Sequence, residues 1–177
     1  MKLEKFSVSI PIPNIGKDPP TEVRLFHWGL NETEKGPVFF TKEGAKQLLA
    51  KYKKRGNAVI FDTEHKTLDV EAPVKEKKAS GYYLLELRTD GLWAIAIRWV
   101  SKVAEEIRNG EWGWISPAIW KDKFNRVVDL ISSAITSQPA THRAIPLLLS
   151  RNGEMLEMAS MENVPEMMND NEALRSQ

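Results

Sequence analysis

The sequence predicts an α+β fold: a largely antiparallel β-barrel or sheet of about seven strands, surrounded by helices. Two observations lead to this prediction. Short runs rich in β-branched and aromatic residues recur along the chain, and turn residues separate them. Segments with helical periodicity are few and lie between such runs. Strands therefore outnumber helices, and the helices are expected on the outside of the sheet.

The first third of the chain predicts two strands, a helix and a third strand. Residues 6–12 (FSVSIPI) and 22–28 (EVRLFHW) alternate polar and apolar side chains, as half-buried strands do. Residues 41–56 predict the clearest helix, because a threonine can cap its start and a glycine can end it. Residues 57–65 (NAVIFDTEH) then predict a strand whose last residue is a histidine.

The middle of the chain predicts a β-hairpin. Residues 81–100 contain two β-rich runs on either side of Asp90-Gly91, a strong turn signal. By strand alternation, every second residue from Trp93 to Trp99 is expected on one face of the second run.

A short helix and two strands are expected after the hairpin. Ser101 can cap a helix that Gly110 ends. Residues 108–122 (RNGEWGWISPAIWKD) and 126–136 (RVVDLISSAIT) are rich in β-formers and predict the last two strands of the body.

Composition excludes several classes of function. The chain has 177 residues, a formal net charge of +1 and no cysteine. It therefore has no thiol nucleophile, disulfide or cysteine-based zinc site. The near-neutral charge gives no reason to expect nucleic-acid binding. No apolar run approaches the ~18 residues of a membrane span, so no membrane association is expected.

The C-terminal stretch differs in composition from the rest. Residues 151–177 contain five of the six methionines, no aromatic residue, and six acidic residues against two arginines. We therefore divide the chain into a folded domain, residues 1–150, and an acidic Met-rich tail, residues 151–177.

Without cysteine, the usable nucleophiles are hydroxyls and the obvious base is a histidine. His65 lies in the segment DTEH. By strand alternation, Asp62 and Glu64 are expected on the face opposite to His65. Two diverging carboxylates and one imidazole are too few ligands for a metal, so neither a metal nor a cofactor is expected.

Ser116 is the most unusual hydroxyl, because it lies among tryptophans in the segment WGWISPAIW. Pro117 has no N–H, so strand pairing is expected to break there and direct Ser116 into a cleft. In the alternative interpretation, Ser116 is a small residue that fills a gap between the tryptophans. The chain has no G-x-S-x-G motif, which disfavours an α/β-hydrolase.

Four motifs occur in order between residues 36 and 140: a D-x-E-H strand, a D-G-L-W-A hairpin, a helix that ends in I-R-N-G-E, and an S-P pair. With this order and spacing, the chain resembles the Mu-like phage I protein, the protease and scaffold protein of tailed-phage capsid assembly. That family is related to the herpesvirus assembly protease and to other phage prohead serine proteases. The resemblance implies the herpesvirus-assemblin-like fold, a β-barrel of about seven strands ringed by helices.

The resemblance also implies catalytic roles. Ser116 is the expected nucleophile and His65 the expected general base, and the two side chains should approach hydrogen-bonding distance in the fold. The N–H groups that would stabilise the oxyanion are expected in the loop 137–140, where Pro139 has none. The candidate donors are Ser137, Gln138 and Ala140. The third catalytic group is open: the family position falls near Ser132, and the alternatives are Asp129, His142 and Glu64.

The implied activity is that of a prohead maturation serine endopeptidase that cleaves the scaffold and itself. Its expected partners are capsid and scaffold proteins and, as a homodimer or higher oligomer, further copies of itself. Its expected location is the host bacterial cytoplasm, inside phage proheads. The tail would be the start of a scaffold region or a processed terminus. The alternative function is a non-catalytic capsid assembly scaffold or chaperone on a protease-like fold.

Overall fold

The computed structural model describes residues 3–5, 10–12, 18–33 and 36–137. They form ten strands, two α-helices and two short 3-10 turns. The strands are β1 (Leu3–Lys5), β2 (Ile10–Pro11), β3 (Val23–His27), β4 (Gly29–Asn31), β5 (Val38–Phe40), β6 (Val59–Thr63), β7 (Gly81–Arg88), β8 (Gly91–Trp99), β9 (Trp114–Lys121) and β10 (Val127–Thr136). The helices are α1 (Lys42–Arg55) and α2 (Ser101–Arg108), and the 3-10 turns are Lys66–Leu68 and Val74–Glu76.

Six strands form a mixed, nearly closed, barrel-like sheet in the order β9-β10-β6-β7-β8-β3. The short strands β1 and β2 both pair with β9, and β4 and β5 form a separate two-stranded ribbon. Among the described strand pairs only β10 and β6 are parallel. The prediction of an α+β fold with a largely antiparallel barrel is therefore confirmed.

Helix α1 begins and ends where the sequence predicts. The Thr41 side chain accepts a hydrogen bond from Gly44 N at 3.1 Å, which caps the first turn. Gly56 follows the last residue in the left-handed conformation, with φ 67°. The prediction for α2 is wrong at its start, because Ser101 is the first helical residue and makes no capping hydrogen bond.

The hairpin at Asp90-Gly91 is confirmed as β7 and β8, but its side-chain pattern differs from the prediction. The ladder shifts register between Tyr82 and Leu84, and Ala96 opposite has a positive φ of 49°. This bulge changes which residues of β8 face the core. Before it the buried residues are Leu92 and Ala94, and after it Ile97. Alternation from Trp93 to Trp99 is therefore broken.

Strands β9, β10 and β6 have two faces of different character. On one face Ile115 lies opposite Ile135 and Ile119 opposite Leu130, and all four belong to the buried core. We call this the apolar face. On the other face Ser116 lies opposite Ala134 and Ala118 opposite Ser132. We call this the polar face, because it carries Ser116 and Ser132.

Of the predicted first strand, residues 6–12, the structure describes residues 10–12, and β2 lies within them at Ile10–Pro11. Strand β1 lies before this range, at Leu3–Lys5. The boundary at residue 150, the tail 151–177, and the candidate residues Gln138, Ala140 and His142 lie outside the described residues. Within the described part of the chain, neither helix has the length and apolar character required to cross a bilayer.

Candidate active site

The histidine of the D-x-E-H segment lies in a turn rather than at the end of a strand. Strand β6 ends at Thr63, and both Glu64 and His65 have left-handed backbone conformations, with φ 52° and 56°. Two such residues in succession reverse the expected alternation. The prediction that Asp62 lies on the face opposite to His65 is therefore wrong, because the His65 side chain reaches the polar face, where Asp62 also lies.

Ser116 lies in the first half of β9, and the structure corrects the expected effect of Pro117. The ladder between β9 and β10 keeps one register from Trp114 to Ala118, so it is not broken at Pro117. The irregularities lie in β10, between Leu130 and Ser132 and between Val127 and Asp129. The irregularities in this ladder therefore lie in β10 and not at Pro117.

The structure brings the two expected catalytic side chains together. His65 Nε2 lies 2.8 Å from Ser116 Oγ, within hydrogen-bonding distance. The two residues are 51 positions apart in the sequence, with His65 in the turn after β6 and Ser116 in β9. His65 is 9% exposed and Ser116 is 1% exposed, so the pair is buried. A hydroxyl hydrogen-bonded to an imidazole can lose its proton to that imidazole when it attacks an electrophile.

The residues considered as a third catalytic group occupy different environments. Ser132 lies on the polar face, diagonal to Ser116, and its buried Oγ makes no hydrogen bond in the described part of the chain. Asp129 also lies on this face. The bulge between Leu130 and Ser132 exchanges the faces of the residues that precede it, so that Asp129 and Ser132 project to the same side. Its carboxylate is paired with Arg55 of α1, at 2.9 and 3.1 Å.

Glu64 joins the turn that carries His65 to the segment that follows β10. Its Oε1 accepts a hydrogen bond from Ser137 N at 3.0 Å, and Glu64 N donates to Ile135 O at 3.1 Å. The Ser137 N–H is a candidate oxyanion donor, and in this structure it is directed at a carboxylate. Glu64 therefore holds the first residue of the predicted oxyanion loop next to the His65 turn.

A buried acidic residue lies at the base of the same turn. Asp62 of β6 is fully buried, at 0% exposed. Its Oδ2 accepts a hydrogen bond from Thr67 N at 2.9 Å and a second one from Thr67 Oγ1. Its sequence signal was an acidic residue three positions before the histidine, and alternation separated the two because it placed His65 on the wrong face.

Comparison with known proteins identifies the family of this chain. The family model described as "Mu-like prophage I protein, N-terminal domain" matches residues 23–147. This match covers more than half of the chain and includes both His65 and Ser116. The chain matches neither a curated protein nor a solved structure. It therefore belongs to the Mu-like prophage I protein family, which is a family of phage prohead proteases.

Proposed function

We propose that this protein is a serine endopeptidase of phage prohead maturation, with Ser116 as nucleophile and His65 as general base. The observation that carries the proposal is the 2.8 Å contact between His65 Nε2 and Ser116 Oγ. Membership in a prohead protease family supports the reaction class. The contact supports the roles, because a histidine at this distance can take the hydroxyl proton.

The proposed reaction follows the chemistry of a hydroxyl nucleophile. Ser116 Oγ attacks the carbonyl carbon of the scissile peptide while its proton passes to His65 Nε2. The tetrahedral intermediate then breaks its C–N bond, and His65 gives the proton to the leaving amine. Water next attacks the acyl-enzyme ester, with His65 again as base. This second step releases the carboxylic acid and returns the proton to Ser116.

The oxyanion of the tetrahedral intermediate requires N–H donors near Ser116. We assign this role to the loop 137–140, which follows the strand adjacent to that of the nucleophile. Ser137 N already donates to Glu64, so Gln138 N and Ala140 N are the proposed donors. Removal of one such donor typically lowers kcat by about 10²–10³-fold.

The proposed substrates are the scaffold and capsid proteins of the prohead, together with the tail of this chain. A homodimer or a higher oligomer is the proposed working state, and the interior of the prohead in the host bacterial cytoplasm is its proposed place. The family match supports this setting as a phage assembly function.

A second function is favoured by the burial of the pair. Ser116 is 1% exposed, and a scissile peptide must reach its Oγ before any attack. A buried serine that only packs is consistent with a capsid assembly scaffold or chaperone that keeps the protease fold without its activity. The two functions differ in whether the Ser116 hydroxyl is needed for cleavage.

The test is to express the wild-type chain and Ser116→Ala, each alone and together with phage scaffold and capsid proteins. Intact-mass spectrometry then measures the products. We expect shortened products only with the wild type, and circular dichroism should show that both variants are equally folded. Full cleavage by Ser116→Ala would exclude Ser116 as nucleophile. An absence of cleavage by the wild type with every partner would favour the scaffold function.

A further inference from the structure

Asp62 is buried at a cost in free energy, because one of its carboxylate oxygens is neither exposed to solvent nor hydrogen-bonded within the described residues. The residue is 0% exposed, and its Oδ1 has no hydrogen-bond partner in the described part of the chain. A buried carboxylate oxygen without a partner is uncommon, because the charged group loses its hydration without compensation. Such groups are retained mainly where the charge serves a function.

The position of Asp62 in the sheet indicates which function. Asp62 of β6 lies opposite Ala134 of β10, and Ala134 lies opposite Ser116 of β9. The three residues therefore form one row across three adjacent strands on the polar face, because directly paired residues project to the same side of a sheet. With strands about 4.8 Å apart, the two ends of this row are roughly 10 Å apart at the backbone.

This row has about the length of a carboxylate, an imidazole and a hydroxyl placed in series, although Asp62 Oδ1 makes no hydrogen bond to the imidazole in this structure. Two hydrogen bonds of about 2.8 Å and the width of the ring together span roughly 8 Å between the outer oxygen atoms. The middle position of the row is Ala134, whose side chain is a single methyl group. His65 comes from the turn that follows Asp62, and its Nε2 already contacts the hydroxyl of Ser116 at 2.8 Å.

Asp62 also closes the turn that carries His65. Its Oδ2 accepts hydrogen bonds from the backbone and the hydroxyl of Thr67, five residues later. The loop between them contains Glu64 and His65, both with left-handed backbones. Such conformations are unfavourable for residues other than glycine by about 1–2 kcal/mol each. The two bonds to Thr67 therefore stabilise a strained turn in the conformation that presents the imidazole.

We propose that Asp62 is the positioning residue of His65. One carboxylate oxygen holds the turn through Thr67, and the other places a fixed negative charge beside the Nδ1 side of the imidazole. The charge stabilises the imidazolium that forms when His65 takes the Ser116 proton, so this inference rests on the proposed endopeptidase function. Asp62 then fills the role for which Ser132, Asp129 and Glu64 were considered.

The other charged groups near the turn have partners elsewhere. Glu64 accepts from Ser137 N, and Lys66 is paired with Glu76 after the turn. Asp129 of β10 is paired with Arg55 of α1. Asp62 differs from these groups in being fully buried, with one carboxylate oxygen that makes no hydrogen bond in the described part of the chain.

Measurement of the His65 tautomer by ¹⁵N NMR tests the proposal without any need for activity. A carboxylate on the Nδ1 side holds a proton on Nδ1, which leaves Nε2 to accept the hydrogen bond of the Ser116 hydroxyl. We expect the Nδ1–H tautomer in the neutral wild-type protein. The Nε2–H tautomer would overturn the proposal even if the protein proves to be a protease.

Two variants with the same intended fold separate charge from structure. Asp62→Asn removes the charge but keeps an oxygen that can accept from Thr67, whereas Thr67→Val keeps the charge and removes one of the two bonds. We expect Asp62→Asn to lower kcat by about 10²-fold or more and to move the acid limb of the pH–rate profile to lower pH. Thr67→Val should lower kcat by less than about 10-fold and leave the acid limb in place.

The outcomes also distinguish this inference from the proposed function. Equal losses in the two variants, with the acid limb unchanged in both, would leave Asp62 a purely structural role and overturn the inference. A wild-type protein that cleaves nothing would overturn the proposed function instead. In that case the midpoint of the His65 imidazole titration, followed by NMR, still reports on Asp62. A midpoint at lower pH in Asp62→Asn supports the pairing, and an unchanged midpoint overturns it.

Discussion

Ser132 and Ser133 are neighbours in the sequence and both are buried, but they have opposite environments. Ser133 lies on the apolar face, where its Oγ and the Tyr83 hydroxyl are 2.7 Å apart. Ser132 lies on the polar face, where its Oγ makes no hydrogen bond in the described part of the chain. The apolar face therefore satisfies its hydroxyls in pairs, as a structural core does.

The polar face, in contrast, contains the two buried side-chain oxygen atoms of β6 and β10 that make no hydrogen bond in the described part of the chain. They are Ser132 Oγ and Asp62 Oδ1. It is also the face on which His65 contacts Ser116. A buried polar atom that the fold does not satisfy is costly, and such atoms concentrate where a protein binds or transforms something. The comparison indicates that one face of these strands serves stability and the other serves the candidate site.

The largest expected difference between the faces is in catalysis. Ser116→Ala should lower the processing rate by about 10⁴-fold or more, because it removes the proposed nucleophile. Ser133→Ala, a buried serine on the other face of the adjacent strand, should leave the rate per folded molecule unchanged. The rates are measured by the appearance of cleaved scaffold at equal concentrations of folded protein. Equal rates for the two variants would contradict the conclusion that the polar face carries the catalytic site.

The next effect concerns pH. His65 must be unprotonated to act as a base, so activity should fall about tenfold per pH unit once the pH is below the pKa of the imidazole. The initial rate of scaffold cleavage is measured between pH 5 and 9, with circular dichroism at each pH as the control for folding. A constant rate down to pH 5 would contradict a histidine base.

The two neighbouring serines should differ in their contributions to stability. Ser133→Ala should lower the free energy of unfolding by about 1–3 kcal/mol, because it leaves the buried Tyr83 hydroxyl without its partner. Ser132→Ala removes a hydroxyl that is already unbonded, so the free energy of unfolding should stay within about 1 kcal/mol of the wild type or increase. Urea denaturation of both variants measures this difference. A larger loss for Ser132→Ala would contradict the assignment of the faces.

The smallest effect is the response of the apolar face to alkaline pH. Burial raises the pKa of Tyr83 well above its ordinary value, although the hydrogen bond with Ser133 opposes this shift. Because the folded pKa is the higher one, the contribution of Tyr83 is fully present below about pH 10 and decreases as pH rises further. The loss should be at most about 1.4 kcal/mol per pH unit above that point.

Tyr83→Phe provides the control, because it keeps the ring against Phe61 and removes only the ionisable group. Lysines and the other tyrosines titrate equally in both proteins. We therefore expect the difference in free energy of unfolding between wild type and Tyr83→Phe to change above pH 10. A difference that is constant up to pH 11 would contradict the raised pKa of Tyr83.

The parts of the fold that were predicted correctly depend on short-range interactions. Thr41 and Gly56 delimit α1 because a side-chain cap and a left-handed glycine act within one turn of the helix. Asp90-Gly91 marks the hairpin for the same reason. The histidine and the serine were singled out by motif order, and the structure places them in contact.

The errors occurred where alternation was continued through an irregularity. Two left-handed residues turn His65 to the face opposite to the expected one, and a bulge at Ala96 changes the buried residues of β8. The bulge between Leu130 and Ser132 likewise brings Asp129 to the face of Ser132. No sequence pattern marked these positions, since none of them is a glycine or a proline.

The sequence by itself determined the α+β class, the ends of α1, the hairpin, and the histidine and serine worth considering. These depend on backbone propensity and on contacts between residues close in the chain. The tertiary structure alone decided that β6 lies beside β10, which aligns Asp62, Ala134 and Ser116 in one row. The physical reason is that strand neighbours and register are set by packing between segments tens of residues apart, for which the local sequence carries no signal.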